Sequence, residues 1–256
     1  MAQGLTANQL VTFVASFREV APSARLVIFI DSPTSGRHRE IINKFKVSAL
    51  QFGVEELEPE YLRQYHPSST RWILIHRFLE DQQDNYDRVL MADVRDTVFQ
   101  SNPFDIIGEP GLYTFNGVEG KTIGQCGWNG GWVRDCFGEE VLSEIRDNPI
   151  VCSGVSLGTT EHVLVYAQQM SKHLLSRRFQ RCERNGVDQG LHNYLLHTDN
   201  VRGVIRFDQS NGPVANMQAD KYKLHGTRVA NKAGREVPIV HQYDRNKRLM
   251  EALFEK

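Results

Sequence analysis

The sequence predicts an α/β protein in which a mainly parallel sheet carries helices on both faces. Three observations lead there. Helical and strand patterns alternate through roughly the first 105 residues, with no repeats or low-complexity tracts. Two apolar runs, "RLVIFID" (25–31) and "RVLMADV" (88–94), are continuous where a half-exposed strand would alternate, as in strands buried on both faces. Asp31 and Asp93 stand at the ends of these runs, and open α/β sheets bind ligands at the C-terminal ends of their strands.

The first helix is read in "TANQLVTFVASFREV", where Thr6 caps and Leu10, Phe13, Val14 and Phe17 recur at helical spacing. The strand "RLVIFID" follows, then a turn at "SPTSG", a short helix at "REIINKF" and a short strand at "VSALQF". "SSTRWILIHRFLEDQ" is a capped helix leading into "RVLMADV". In the second half "GLYTFNGV" reads as a strand, "QCGWNGGWVRDCFG" as a Gly- and Trp-rich loop, and "EEVLSEIRD" as a helix. "NPIVCSGVSLGT" reads as a short apolar run before a turn with two glycines. "TEHVLVYAQQMSKHLLSRRF" is a helix with Val163, Tyr166, Ala167, Met170 and Leu174 on one face, and "GVDQGLHNYLLH" opens another with Asp188 near its start. A last strand, "VPIVHQYDRN", runs into His241, Tyr243 and Asp244.

No linker interrupts the 256 residues, so a single domain is expected. A content of 40% apolar residues suffices for a sizeable core. Thirty basic against 31 acidic residues leave a net charge of −1, which gives no general attraction to nucleic acid or anionic membranes. No apolar run reaches the roughly 18 residues of a membrane span, and "MAQGLTANQL" lacks the basic start and apolar core of a signal peptide. The chain as it stands is read as soluble. Cys126, Cys136, Cys152 and Cys182 lack the spacing of a C-x-x-C zinc knuckle; buried thiols are the preferred reading, with a disulfide such as Cys126–Cys136 the alternative in an oxidising lumen.

The paired acids Asp93 and Asp96 need a reason. The D-x-D-x-T/V pattern of aspartyl phosphatases fails, because the acids stand three apart and Val94 lies two before Asp96. Helix or turn capping accounts for Asp96 ahead of "TVF" but not for Asp93 as well. A divalent cation held by oxygen ligands accounts for both.

The order of motifs resembles nucleotide-sugar glycosyltransferases of the GT-A fold, above all retaining families such as the one containing glycogenin. In those enzymes a helix bearing an Arg precedes a strand ending in D-x-D, as "SSTRWILIHRFL" precedes "RVLMADVRD" here. An N-S-G-V strand and turn is matched by "VCSGVSLG", a D-Q pair opening a helix by "VDQGLHNYLL", and a late metal-binding His by "PIVHQYD". The likeness runs from Arg25 to Asp244, and "DVRD" followed by "VFQ" and "PF" is similar to uncharacterised sugar transferases. It implies a GT-A domain over 1–256, with a nucleotide-binding half of about 1–105 and an acceptor and sugar half of about 106–256. The nucleotide-binding strand that opens such domains is missing, so the chain is read as truncated at its N-terminus, its compartment being cytoplasmic or a Golgi lumen. The G-x-G-T-R phosphate loop of nucleotidyltransferases is absent.

The resemblance implies these roles. Asp96 and His241, with Asp93, hold Mn²⁺ or Mg²⁺, the imidazole tilting the choice toward Mn²⁺. The D-x-x-D spacing departs from D-x-D, which leaves open whether Asp93 or Asp96 is the main ligand. Arg71, Asp93, Arg95, Ser153 and Gly154 face the donor, most often a UDP-sugar. Asp188 and Gln189 lie at the transfer centre, and Trp128 and Asn129 meet a glycan, protein or small acceptor. Each residue also has a plainer reading: Arg71 a surface charge, Asp188 a helix cap, Ser153-Gly154 a tight turn, Trp128 and Trp132 core aromatics, His241 a hydrogen-bonded core side chain. A binding protein without activity is the alternative function.

Overall fold

The computed structural model describes residues 4–31, 34–218 and 222–255; the start of the turn read at "SPTSG" (Ser32 and Pro33) lies outside them. Helix α1 (Ala7–Val20) begins at Thr6, whose Oγ1 accepts from the Gln9 amide while Gln9 Oε1 accepts from the Thr6 amide. It buries Leu10, Phe13, Val14 and Phe17, the stripe its spacing predicts. Strand β1 (Val27–Asp31), α2 (Gly36–Lys44), capped by Ser35, and β2 (Ser48–Phe52) follow. Helix α3 (Pro67–Gln82) has His66 as its cap and Pro at its first position, where the missing N–H costs nothing. After β3 (Arg88–Ala92) come β4 (Thr97–Phe99), β5 (Leu112–Asn116), α4 (Gly127–Phe137), α5 (Glu139–Ile145), β6 (Val151–Thr159), α6 (Thr160–Leu174), α7 (Arg177–Gln180) and α8 (Val187–His197). The chain ends with β7 (Val204–Phe207), β8 (Val214–Asn216), β9 (Lys223–His225), β10 (Arg228–Ala230), β11 (Ile239–His241) and α9 (Lys247–Phe254).

Two compact units share the chain. The first comprises Met1–Leu57, Ala92–Ile106 and Gln209–Lys256; the second comprises Glu58–Met91 and Ile107–Asp208. In the first unit β1 pairs β2 in parallel, β9 and β10 form a hairpin, and β11 lies between an antiparallel β4 and a parallel β8. Val98, Ala215, Met217, Val229, Val237, Val240, Tyr243 and Leu249 form one core cluster, against which the apolar face of α9 packs. Phe99 meets Phe13 and Phe17 edge to face at 5.3 and 5.1 Å, which holds α1 on β4. In the second unit a sheet of order β3-β6-β5-β7 has β5 antiparallel to β6 and parallel to β7.

The fold is therefore α/β, but its sheets are small and mixed where a mainly parallel one was expected. A continuous apolar run reports burial on both faces and is blind to strand direction. Two segments also differ from their sequence reading. The Gly- and Trp-rich loop is mostly helix α4: Trp132 lies so close to α8 that a Cβ at Gly186 or Gly190 would come within 2.7 or 2.5 Å of it, and this packing outweighs the poor helix propensity of the glycines. The two-glycine turn is instead the interior of β6. Gly158 sits against the backbone of Gly111 with no room for a Cβ, so this glycine serves close approach in the strand.

Cys136 and Cys182 form a disulfide, whereas Cys126 and Cys152 are not disulfide-bonded. The thiol reading therefore holds for Cys126 and Cys152 and fails for Cys136 and Cys182, and the bridge formed is not the Cys126–Cys136 pair that served as the alternative. Cys126 caps α4 and Cys136 lies on it ten residues on, about 15 Å along a helix, too far for a bridge between the two. Among the described residues no helix is long and apolar enough to cross a membrane.

Candidate metal centre and a second polar cluster

The metal centre is assembled by strand register in the first unit. His241, the last residue of β11, pairs with Thr97, the first of β4, and with Asn216, the last of β8. Asp96 directly precedes β4, the strand paired with β11, so it stands at the sheet end where His241 emerges, and Asp93 lies three residues before it. The turn after β11 is tied to the acidic turn: the Tyr243 amide donates to Asp96 O at 3.3 Å, and Tyr243 Oη donates to Arg95 O at 3.2 Å.

As a result His241 Nε2 lies 3.5 Å from Asp96 Oδ1 and 3.6 Å from Asp93 Oδ2, and one ligand atom from each residue lies within 4.8 Å of the others. His241 Nδ1 lies 2.7 Å from Asn216 Oδ1. A carbonyl oxygen only accepts, so Nδ1 carries a proton and Nε2 is the ring nitrogen turned toward the carboxylates. Asp96 is 7% exposed, and its Oδ1 makes no hydrogen bond. Burial pushes the Asp96 carboxyl up to about 6; His241 opposes the rise, and the charges of Asp93 and Asp244 add to it.

These residues fit a divalent cation. Ligand atoms about 2.1 Å from one ion stand about 3 Å apart when adjacent and about 4 Å apart when opposite, which brackets the distances from His241. Two carboxylates and one imidazole would leave further coordination positions open on such an ion. Arg95 is exposed, and within this turn only its carbonyl is engaged by Tyr243.

The second unit carries the other residues. Asp188, in the first turn of α8, is 2% exposed; its Oδ2 accepts from Arg71 Nη2 at 2.8 Å and from Trp72 Nε1 at 3.3 Å. The Arg71 side chain is only 13% exposed and lies over the Trp72 ring at 5.1 Å, so it is no surface charge. Gln189 Oε1 accepts from the Ser153 amide at 2.9 Å and from Ser153 Oγ at 3.0 Å, and its Nε2 donates to Val151 O. Asn193, one turn on, accepts from the Val151 amide at 2.9 Å and donates to Val151 O at 3.1 Å. Sheet register explains the pattern: Thr114 pairs with Ser156 but Phe115 with Cys152, so residues 153–155 bulge out of the ladder and side-chain amides of α8 replace the lost strand bonds. Ser153 and Gly154 lie in this bulge.

Trp128 is 71% exposed on α4, its ring 6.0 Å from that of Trp132 and tilted by 35°. Asn129 is buried; its Nδ2 donates to Cys126 Sγ and its Oδ1 accepts from Asn193 Nδ2, both at 3.4 Å. Deeper in the unit Tyr166 Oη and His192 Nδ1 are 2.6 Å apart, and burial holds the His192 imidazole down at about 3.

Sequence reading missed Asn193 and Asn216. Asn193 has a faint signal, standing four residues after Gln189 on the buried side of α8. Asn216 has none, since only the parallel register of β8 and β11 brings it to His241.

Fold and site together define an α/β protein with a candidate divalent-cation centre. No protein-family model matches the chain, and no curated protein is significantly similar to it.

Proposed function

We propose that the chain is a metal-dependent glycosyltransferase of the GT-A type, moving a sugar from a nucleotide diphosphate donor, UDP-sugars first, to a glycan, protein or small acceptor. The observation that carries this reading is the meeting of the Asp93 and Asp96 pair with His241, far along the chain, with ligand atoms within 4.8 Å of one another. Asp93 and Asp96 supply hard oxygen ligands, and His241, aimed by Asn216, supplies the nitrogen. When bound, Mn²⁺ or Mg²⁺ neutralises charge on the departing diphosphate. Arg95, exposed beside the acids, is free to approach a phosphate.

In the second unit Arg71 and Trp72 fix the rotamer of Asp188, whose carboxylate is the candidate acceptor of a substrate hydroxyl proton. Gln189 holds the β6 bulge, and so positions Ser153 and Gly154 rather than reaching substrate itself. Trp128 offers a ring face to an acceptor sugar. The Cys136–Cys182 disulfide favours an oxidising lumen over the cytosol.

A second reading, a sugar- or nucleotide-binding protein without activity, draws on the same cluster: Asp188 Oδ2 is already taken by two donors and the Gln189 amide is committed to β6. Calorimetric titration of UDP with and without Mn²⁺, on the wild type and Asp96→Ala, tests the metal. Mn²⁺ is expected to raise UDP affinity in the wild type only, and equal UDP binding in both proteins counts against the assignment. Metal-dependent hydrolysis of a panel of sugar nucleotides then separates enzyme from binding protein. Sugar binding that survives EDTA, with no donor hydrolysis, supports the second reading.

A further inference from the structure

The turn after β11 and the acidic turn bonded to it leave three acceptor oxygens without a donor. Asp96 Oδ1, Gln242 Oε1 and Asp244 Oδ1 are all buried and make no hydrogen bond. Asp96 is more than nine-tenths buried, and its Oδ1 points at His241 Nε2 from 3.5 Å. The Asp244 side chain is 21% exposed, and its other oxygen, Oδ2, lies 3.6 Å from the half-exposed Arg245 guanidinium, a pair too solvated to offset much. Buried carbonyl and carboxylate oxygens without donors are costly, so two in this turn and a third in the acidic turn bonded to it favour a positive partner.

Backbone geometry points the same way. Gln242 has φ 60° and ψ 36°, a left-handed conformation that side chains other than glycine seldom adopt. This reversal is what turns the chain straight after His241, and the two Tyr243 bonds to Asp96 O and Arg95 O lock the turn onto the acidic one. Strain held in place by surrounding bonds is common where a site must be presented. Asp244 directly follows Tyr243, so the bond from the Tyr243 amide to Asp96 O ties the Asp244 backbone to the acidic turn.

We infer that Asp244 is a further residue of the cation centre, its Oδ1 accepting from a metal-bound water outside the ligand set of Asp93, Asp96 and His241, and that it weights the site toward hard, oxygen-preferring divalent ions. The inference rests on the metal centre proposed above. With Asp93 and Asp96 it sets three carboxylates about one imidazole, surroundings suited to a hard divalent ion such as Mn²⁺ or Mg²⁺ more than to tetrahedral zinc.

Titration of Mn²⁺ alone, by calorimetry and by electron paramagnetic resonance of the bound ion, tests it on the intact chain. Asp244→Asn is expected to weaken Mn²⁺ binding by about 10- to 100-fold and to change the resonance spectrum, while Asp244→Glu restores part of the affinity. Circular dichroism checks folding, and Asp244→Ser replaces the Asn variant if that one fails to fold. Wild-type Mn²⁺ affinity in Asp244→Asn, alongside its loss in Asp96→Asn, overturns the inference and leaves the metal centre standing. A purely structural role would lower the melting temperature without moving affinity or spectrum, and that result also overturns it. Absence of Mn²⁺ binding in the wild type removes the metal centre and the inference together.

Discussion

Asn216 Oδ1 and His241 Nδ1 stand 2.7 Å apart, at the paired ends of the parallel strands β8 and β11, and this contact decides which imidazole nitrogen faces Asp93 and Asp96. Both residues are at least 98% buried, so no solvent competes for the bond. Replacing Asn216 by Leu removes the acceptor while roughly keeping the volume. The imidazole then loses its fixed tautomer and orientation, and Mn²⁺ affinity is expected to fall about 10- to 100-fold. Calorimetry on the folded variant measures this; unchanged affinity would show that ring orientation does not depend on Asn216.

Asp96 carries opposite demands for stability and for binding. It is buried near two further carboxylates, Asp93 and Asp244, with only His241 and Arg245 to offset them. Asp96→Asn removes a buried charge and one repulsive partner at almost no change in shape. The metal-free protein is therefore expected to become more stable, by about 1–2 kcal/mol, while losing the rise in melting temperature that Mn²⁺ gives the wild type. Thermal denaturation with and without Mn²⁺ reads both effects. A variant less stable than wild type in EDTA contradicts the account of the cluster.

Much of this was legible in the sequence because it depended on local pattern. The stripe Leu10–Phe17 and the Thr6 cap fix α1 through 3.6-residue periodicity and a side-chain bond three residues long, and both are written in adjacent residues. The acids and His241 were legible by residue type and by order along the chain, and the structure brings them together. What was not legible depends on distant partners. Helix α4 exists because Trp132 packs on Gly186 and Gly190, about fifty residues on, and nothing in "CGWNGGW" announces those partners. The direction of β6 and its bulge at 153–155 are set by pairing with β5, and the Cys136–Cys182 bridge by helix geometry, so pattern reading could reach neither.

The Arg71–Asp188 pair is expected to behave as a buried ion pair. Arg71→Met leaves Asp188, 3% side-chain exposed, with only the Trp72 indole as donor, and should cost about 3–5 kcal/mol. Adding Asp188→Asn to that variant removes the stranded charge and keeps an acceptor for Trp72, so the double variant should recover a good part of the loss. Urea denaturation of the wild type, both single variants and the double gives the coupling directly. Additive losses would mean that the two side chains do not depend on each other.

His192 gives the fold an acid-sensitive element. Fully buried, with Nδ1 2.6 Å from Tyr166 Oη, its imidazole is held down at about 3, chiefly by burial and then by the charges of His197, Arg206 and Arg71. In the unfolded chain the same ring titrates near 6.5. Between those values the unfolded state binds a proton that the folded state refuses, so stability falls as pH drops from about 6.5 toward 3. One such group contributes a slope of about 1.4 kcal/mol per pH unit within that window. His197, lowered to about 4 by burial and then by Arg206, adds in the same direction. His192→Asn keeps a polar group beside Tyr166 but cannot titrate. Its unfolding free energy, followed by urea denaturation at several pH values between 4 and 6, should show a slope shallower than wild type by about one proton, whatever its stability at neutral pH. Parallel slopes in the two proteins would mean that His192 is protonated in the folded state, against a site that buries its ring fully.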